Sequence, residues 1–376
     1  MNLFDVYPLI NVTPVKAFGS KLWDEKGDEY TDLYGGHAVI SIGHSHPHFN
    51  QRIKDQLDKI TFYSNSVHIP IQQQLAKKLG EMSGYPDFNL FLCNSGAEAN
   101  ENALKLASFS TGKSGFISFS GAFHGRTSGA VVLTDNPKIV APSNQRSDAY
   151  ILPWGNIDAV ETQLKAGNIA GIIIEGIQGV GGIQVPSPEF LLALSKLAKE
   201  YSAKLILDEV QSGYGRTGKF FAHQWVEGLV PDLITMAKGM GNGYPIGGVL
   251  IHPDFKASYG LLGTTFGGNH LACAAGLAVL EVIESEKLMT HAEKMGEYLI
   301  AELNEIPGVT EVRGKGLMIG VDLDRDAAPV RSELVTKYKI FTGSSAGKQT
   351  IRLLPPLNIG INELSSFIDS LKKILD

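Results

Sequence analysis

Apolar residues recur along the chain in two alternating rhythms. Positions 49, 53, 57 and 60 of HFNQRIKDQLDKI are apolar, a helical spacing over 48–60. Residues 70–83 repeat it. The pattern then switches. FNLFLC at 88–93 is a short apolar run of strand type, and 96–108, containing AEANENALKLA, reads as the next helix. GFISFS (115–120), AGIIIEG (170–176), AKLILDEV (203–210), PDLITMAK (231–238) and GGVLI (247–251) read as strands, with an amphipathic helix over 188–201. Strands alternating with helices over roughly 200 residues predict an α/β unit on a mostly parallel sheet. Such sheets bind ligands outside the carboxyl ends of their strands. The polar residues that close these runs are therefore the ones to inspect.

The pattern changes near residue 270. Long helices are predicted at 269–284 and 286–305, short strands in VTEVRGKGLMIGVDL and IRLLPP, and a last helix at 362–374. Residues 1–45 read as short strands and turns, with a hairpin around Lys26-Gly27. The expected organisation is a large α/β domain over 46–275 and a smaller α+β domain made of 1–45 and 276–376.

A length of 376 residues suits two such units. With 43% hydrophobic and 19% charged residues the chain is globular, not disordered. A net charge of −6 without a basic run argues against nucleic-acid binding. Cys93 and Cys273 are too few for a disulfide framework or a four-thiolate metal site. His44, His46 and His48 have no thiol or carboxylate cluster nearby in sequence, so no metal is expected. No cationic-then-apolar leader opens the sequence, and no apolar run approaches the ~20 residues of a membrane helix. The expectation is a cytoplasmic protein. The 42 glycines exceed the usual ~7% of residues, and many gather where strand-like runs stop.

Three such places carry chemistry. In LCNSGAEA (92–99) a strand gives way to a helix through Ser95, Gly96 and Ala97. Free amides at a helix N-terminus beside a small hydroxyl form an anion cradle, although a serine there also serves as a plain helix cap. In LILDEVQSGYGRTG (205–218) Asp208 ends an apolar strand. A carboxylate is costly to bury alone, so it calls for a cationic partner such as a protonated ring nitrogen. In TMAKGMGNGYPIGG (235–248) Lys238 follows a strand and precedes Gly239, Gly241 and Gly243. Glycine allows close backbone approach, and a lysine in a dry site has a lowered pKa and can form a Schiff base. A phosphate cradle, an acid for a ring nitrogen and a Schiff-base lysine are together what pyridoxal 5′-phosphate requires.

The order and spacing of these segments, with FHGRT at 123–127, resemble the class III pyridoxal-phosphate aminotransferases of fold type I over nearly the whole chain. The resemblance implies roles by position. Lys238 holds the cofactor and shuttles the proton, and Asp208 pairs with the pyridine nitrogen. Phe123 and Val210 sandwich the ring, Gln211 bonds its phenolic oxygen, and Ser95, Gly96 and Ala97 hold the phosphate. Thr264 and Thr265 in GTTFGGN reach the phosphate of a neighbouring subunit, which implies a homodimer with shared active sites. Arg126 resembles the residue that binds the α-carboxylate of acylornithine substrates, and Arg352 the one that binds 2-oxoglutarate. Glu175, Asn65 and His37 are placed beside the substrate.

The compact length is typical of acetylornithine aminotransferase-like members. The implied reaction moves the δ-amino group of an N-acylornithine to 2-oxoglutarate, in arginine biosynthesis. Three departures stand out. Val180 replaces a glutamate that usually faces the acceptor-binding arginine. His37 stands where isoleucine is common. SNSVH at 64–68 is more polar than usual, which would suit a charged acyl tail such as succinyl. Alternatives are another ω-amino-acid aminotransferase (for ornithine or 4-aminobutyrate), an aminomutase-like isomerase resembling glutamate-1-semialdehyde aminomutase, and a catalytically silent cofactor-binding protein.

Overall fold

A computed structural model describes residues 1–376. Its centre is a seven-stranded sheet in the order Asn89–Cys93, Gly247–Ile251, Leu233–Met236, Lys204–Asp208, Ile169–Glu175, Gly115–Phe119, Ala149–Leu152. Every neighbouring pair is parallel except those made by Gly247–Ile251, which runs antiparallel to both its neighbours. The α/β class with a mostly parallel sheet is as the alternating pattern predicts. The reversed strand has the same apolar composition as the others, and composition does not encode direction.

Strand Ile169–Glu175 is buried along its whole length, as a parallel strand covered on both faces must be. Helices Gly96–Thr111, Ile157–Lys165, Pro188–Glu200 and His270–Ser285 begin on side-chain caps from Ser95, Asn156, Ser187 and Asn269, the residue types that satisfy orphan amides. Two four-stranded sheets stand apart from the large one. The first joins Pro14–Phe18, Lys21–Asp24 and Glu29–Asp32 to Ile340–Phe341. The second is made by Val309–Lys315, Met318–Leu323, Thr350–Leu353 and Gly343–Ser344. No helix is long and apolar enough to cross a membrane.

The register of the parallel strands sets up the site. Glu175 lies opposite Asp208, and Asp208 opposite Thr235. Three polar residues thus lie in one row at or next to the ends of adjacent strands, and Lys238 follows Thr235 by three positions. His44, His46 and His48 diverge, each reaching a different carboxylate: Asp32, Glu286 and Glu281.

Candidate active site

Asp208 is buried and well supplied with donors. His124 Nδ1 and Asn100 Nδ2 each approach its Oδ2 at 2.8 Å, and the amide of Val210 donates to Oδ1 at 3.0 Å. Asn100 also donates to the His124 carbonyl at 2.7 Å and accepts from the Thr235 hydroxyl at 2.7 Å. One amide therefore ties helix Gly96–Thr111, the 123–125 loop and two strand ends together. His124 Nε2 is buried without a partner.

Neither Asn100 nor His124 is picked out in the sequence. Asn100 carried a signal, as a polar residue between Ala99 and Ala103 on a face that proves buried. His124 carried none beyond its place in FHGRT.

The Ser95 hydroxyl oxygen caps its helix, accepting from the Glu98 amide at 3.2 Å. The Glu98 carboxylate turns back to the Asn94 amide at 2.8 Å. Amides of a first helical turn lack intrahelical acceptors, so those of Gly96 and Ala97 are free to meet an anion. Gly96 is a spatial requirement: a Cβ there would lie 2.6 Å from Val210 Cγ1. Gly125, at φ +135°, would bring a Cβ to 2.7 Å from that of Ala97. The cradle, the FHGR loop and the residues after Asp208 thus touch one another.

Lys238 is half-buried, in a left-handed conformation with φ 46°, and its amine has no hydrogen-bond partner. Burial lowers its pKa, with the charges of Asp208 and Glu175 opposing that and Arg352 adding to it. Glu175 accepts from the amides of Phe123 at 3.0 Å and Gly179 at 2.8 Å. Burial pushes its carboxyl up to about 7, with the Asp208 charge adding and His124 opposing.

Arg352, on strand Thr350–Leu353, is buried without any ion pair. It donates to the Ser344 carbonyl and, at 3.4 Å, to the Gln211 amide oxygen. Val180 offers it no acid; the Val180 carbonyl instead accepts from the Ala346 amide. Neutral acceptors therefore stand where the resemblance would place a carboxylate. Gln211 also donates to the His37 carbonyl at 3.1 Å.

The remaining predicted residues are less committed to the cleft. His37 is exposed and its ring meets the Tyr34 hydroxyl. Its pKa is lowered by partial burial and by the charges of Arg352 and Lys238. Arg126 and Thr265 are exposed, and neither side chain has a hydrogen-bond partner. Thr264 accepts from Asn94 at 3.3 Å within its own chain. Asn65 spends its amide on the 264–267 loop, donating to the Thr264 and Gly267 carbonyls and accepting from Gln72.

Such a row of strand ends, with an anion-ready helix start and a half-buried lysine, belongs to a pyridoxal-phosphate transferase of fold type I. A family model described as aminotransferase class-III matches residues 5–375. The chain is a member of that family and a pyridoxal-phosphate-dependent transaminase. It is 39% identical over 380 residues to acetylornithine aminotransferase of Bacillus subtilis, covering 100% of this chain and 97% of that one. It is 40% identical over 364 residues to the protein of the same name from Methanothermobacter thermautotrophicus, covering 95% and 92%. Among solved structures, ornithine aminotransferase from Toxoplasma gondii superposes with a TM-score of 0.90 at 28% identity, covering 98% and 91%. An omega-transaminase from Thermomicrobium roseum gives 0.88 at 29%, covering 99% and 97%.

The residues present fit the cofactor of this family. Asp208 Oδ1 accepts only one bond and keeps acceptor capacity, the Lys238 amine is free, and Gly96 leaves open the space a side chain would fill.

Proposed function

We propose that this transaminase moves the δ-amino group of an N-acylornithine to 2-oxoglutarate, giving an N-acylglutamate 5-semialdehyde and glutamate, in arginine biosynthesis. The observation that carries the reading is full-length likeness to acetylornithine aminotransferases, joined to a buried arginine without a carboxylate partner beside the lysine. Pyridoxal phosphate, when bound, supplies a conjugated ring that accepts the electron pair released as a C–H bond beside the transferred nitrogen breaks.

The chain's own residues do the rest. Lys238 Nζ, its charged form disfavoured by burial, is the base that takes the proton from that carbon and returns it. Asp208, held by His124 and Asn100, would pair with the ring nitrogen. Ser95, Gly96 and Ala97 would hold the cofactor's phosphate, Phe123 and Val210 would flank its ring, and Gln211 would bond its phenolic oxygen. Gln211 links the cleft to Arg352, which binds the acceptor's carboxylate, while Arg126 takes the α-carboxylate of the donor. His37, Glu175 and Asn65 border the substrate, Asn65 by shaping the 264–267 loop.

A homodimer with shared sites is part of the proposal, with Thr264 and Thr265 as donors to the partner's phosphate. Exposed apolar side chains at Phe62, Tyr63, Val67 and Phe266 support it, since such patches mark contact surfaces. The division into 46–275 and 1–45 with 276–376, and a cytoplasmic location, belong to the same reading.

The deciding experiment compares kcat/KM for N-acetylornithine and N-succinylornithine with 2-oxoglutarate. Turnover of either well above ornithine and 4-aminobutyrate supports an acylornithine enzyme. Turnover without any added 2-oxo acid would establish an isomerase instead.

A further inference from the structure

A cavity of about 320 Å³ opens where four parts of the chain meet. They are the segment after strand Ile169–Glu175, the start of helix Pro188–Glu200, the Ala222–Trp225 turn and the end of strand Val309–Lys315. Its buried lining is apolar: Ile177, Leu191, Ala222 and Val226 are each less than a tenth exposed. Trp225 and Lys315 line it half-buried. None of the residues assigned above to cofactor or substrate borders it.

The walls are fixed in place. Trp225 Nε1 donates to the Thr217 carbonyl at 3.2 Å. The Leu317 amide donates to the Arg216 carbonyl at 2.9 Å, and the Gln178 amide to the Gln184 carbonyl at 2.9 Å. Gly316, at φ +53°, packs so closely that a Cβ would stand 2.6 Å from the Thr217 carbonyl carbon. The hairpin that carries Lys315 is thus seated on the chain that leads to Trp225. A preformed, mostly apolar cavity of this size with few polar groups is of the kind that takes a small molecule.

The charges beside it select the ligand. Lys315 Nζ lies 4.7 Å and Lys219 Nζ 4.9 Å from the centroid of the Trp225 ring. An aromatic face attracts a cation, but two like charges against one ring repel each other. Neither amine pairs with an acid. Arg313, two residues before Lys315, takes Glu311 and Asp322 instead. An apolar cavity beside two unpaired ammonium groups is complementary to an anion with an apolar body.

We propose that this cavity is a second ligand site, taking a medium-chain aliphatic carboxylate with its head on Lys315 and its chain against Trp225, Ile177 and Ala222. The inference does not depend on which amine the cleft accepts.

The test is fluorine NMR of the cofactor-loaded protein labelled with fluorotryptophan at Trp23, Trp154 and Trp225, with Trp225→Phe assigning the third resonance. Hexanoate should move the Trp225 resonance saturably and leave the other two in place. Hexanol, the same chain without the charge, should bind about 5-fold more weakly, the upper end for a part-exposed ion pair. Acetate, four methylenes shorter, should give no shift over the same concentrations. Lys315→Met keeps the apolar stem and should bring hexanoate down to the level of hexanol, while Lys315→Arg retains the difference. Arg352→Gln should leave the Trp225 shift unchanged, which separates this site from the cleft. No saturable shift, or equal movement of all three resonances, would overturn the inference. Hexanol binding as tightly as hexanoate, full hexanoate affinity in Lys315→Met, or loss of the shift in Arg352→Gln would overturn it equally.

Discussion

Asn100→Ala is the sharpest probe of how Asp208 is held. The side chain is buried and makes three hydrogen bonds: to the Asp208 carboxylate, the His124 carbonyl and the Thr235 hydroxyl. A bond to a charged group contributes about 1.5–3 kcal/mol and a neutral one about 0.5–1.5 kcal/mol. Truncation also leaves the His124 carbonyl and the Thr235 hydroxyl without this partner, while Asp208 keeps His124 and Val210. The expected loss is therefore about 3 kcal/mol or more, read as a lower urea midpoint of the cofactor-free protein with an unchanged slope. Thr235→Val removes only the third bond and should cost about 1 kcal/mol. Because the two residues touch, the double variant should cost less than the sum of the singles by about 0.5–1.5 kcal/mol. Cofactor affinity, followed by visible absorbance, should fall in Asn100→Ala and hold in Thr235→Val, since only the former loosens Asp208. An Asn100→Ala loss below about 1 kcal/mol, or strict additivity in the cycle, would refute the view that this amide organises the strand ends.

Glu175→Gln tests the buried carboxyl beside Asp208. Folding raises its pKa from 4.5 to about 7, so its contribution is fully present below pH 4.5 and is lost as pH rises to 7. The substitution should therefore cost less at pH 8 than at pH 4.5, by up to about 3 kcal/mol; denaturation curves giving a pH-independent difference would exclude this. Lys238→Met should abolish transamination while raising the melting temperature of the cofactor-free protein at pH 7. Folding lowers the lysine's pKa, so its contribution is present above 10.5 and lost as pH falls; the gain should accordingly shrink towards pH 10.5. Gly96→Ala should lower cofactor affinity, because the added methyl meets Val210 Cγ1 at 2.6 Å, and overpacking of this kind costs about 1–3 kcal/mol. Unaltered binding would mean that Val210 gives way freely.

Local pattern made the framework legible. Residues 70–83 match helix Pro70–Ser83, and GGVLI matches strand Gly247–Ile251, because a helix stripe and a buried apolar run both write their period into neighbouring positions. Helix Ala327–Thr336 left no such mark. It carries Pro329 in its first turn and has little amphipathic contrast, and only its cap at Asp326 is conventional. In the site, Asp208 and Lys238 stood out because polar residues rarely close apolar strands. Their supporting partners did not, since Asn100 meets Asp208 across 108 positions of sequence and Gln211 meets Arg352 across 141. Contacts of that range are products of the fold and leave no local period to read. The same holds for the solution at Val180, where a missing acid was legible but the neutral acceptors on Arg352 were not.

Backbone strain shows how the first sheet is tied to the chemistry. Gly35, Gly36, His37 and Ala38 all have φ between 55° and 67°, forming a left-handed turn closed by Ala38 N donating to the Tyr34 carbonyl. Left-handed conformations cost about 1–3 kcal/mol at each non-glycine residue, so His37 and Ala38 keep theirs only because the surroundings demand it. Those surroundings are residues of the cleft. Gln211 donates to the His37 carbonyl, and the Ser41 hydroxyl donates to the Gly239 carbonyl. Asn242 accepts from the amides of Ser41 and Ile42 and donates to Gly43. The segment that carries His37 is thereby clamped onto the loop that follows Lys238, which is itself left-handed at Lys238 and Asn242. Strain in two facing loops is balanced by bonds between them, so neither can relax without releasing the other. A residue more than 200 positions before the lysine is in this way held at the lysine's side, and a change at 41 or 242 should disturb the cleft although neither side chain need touch a substrate.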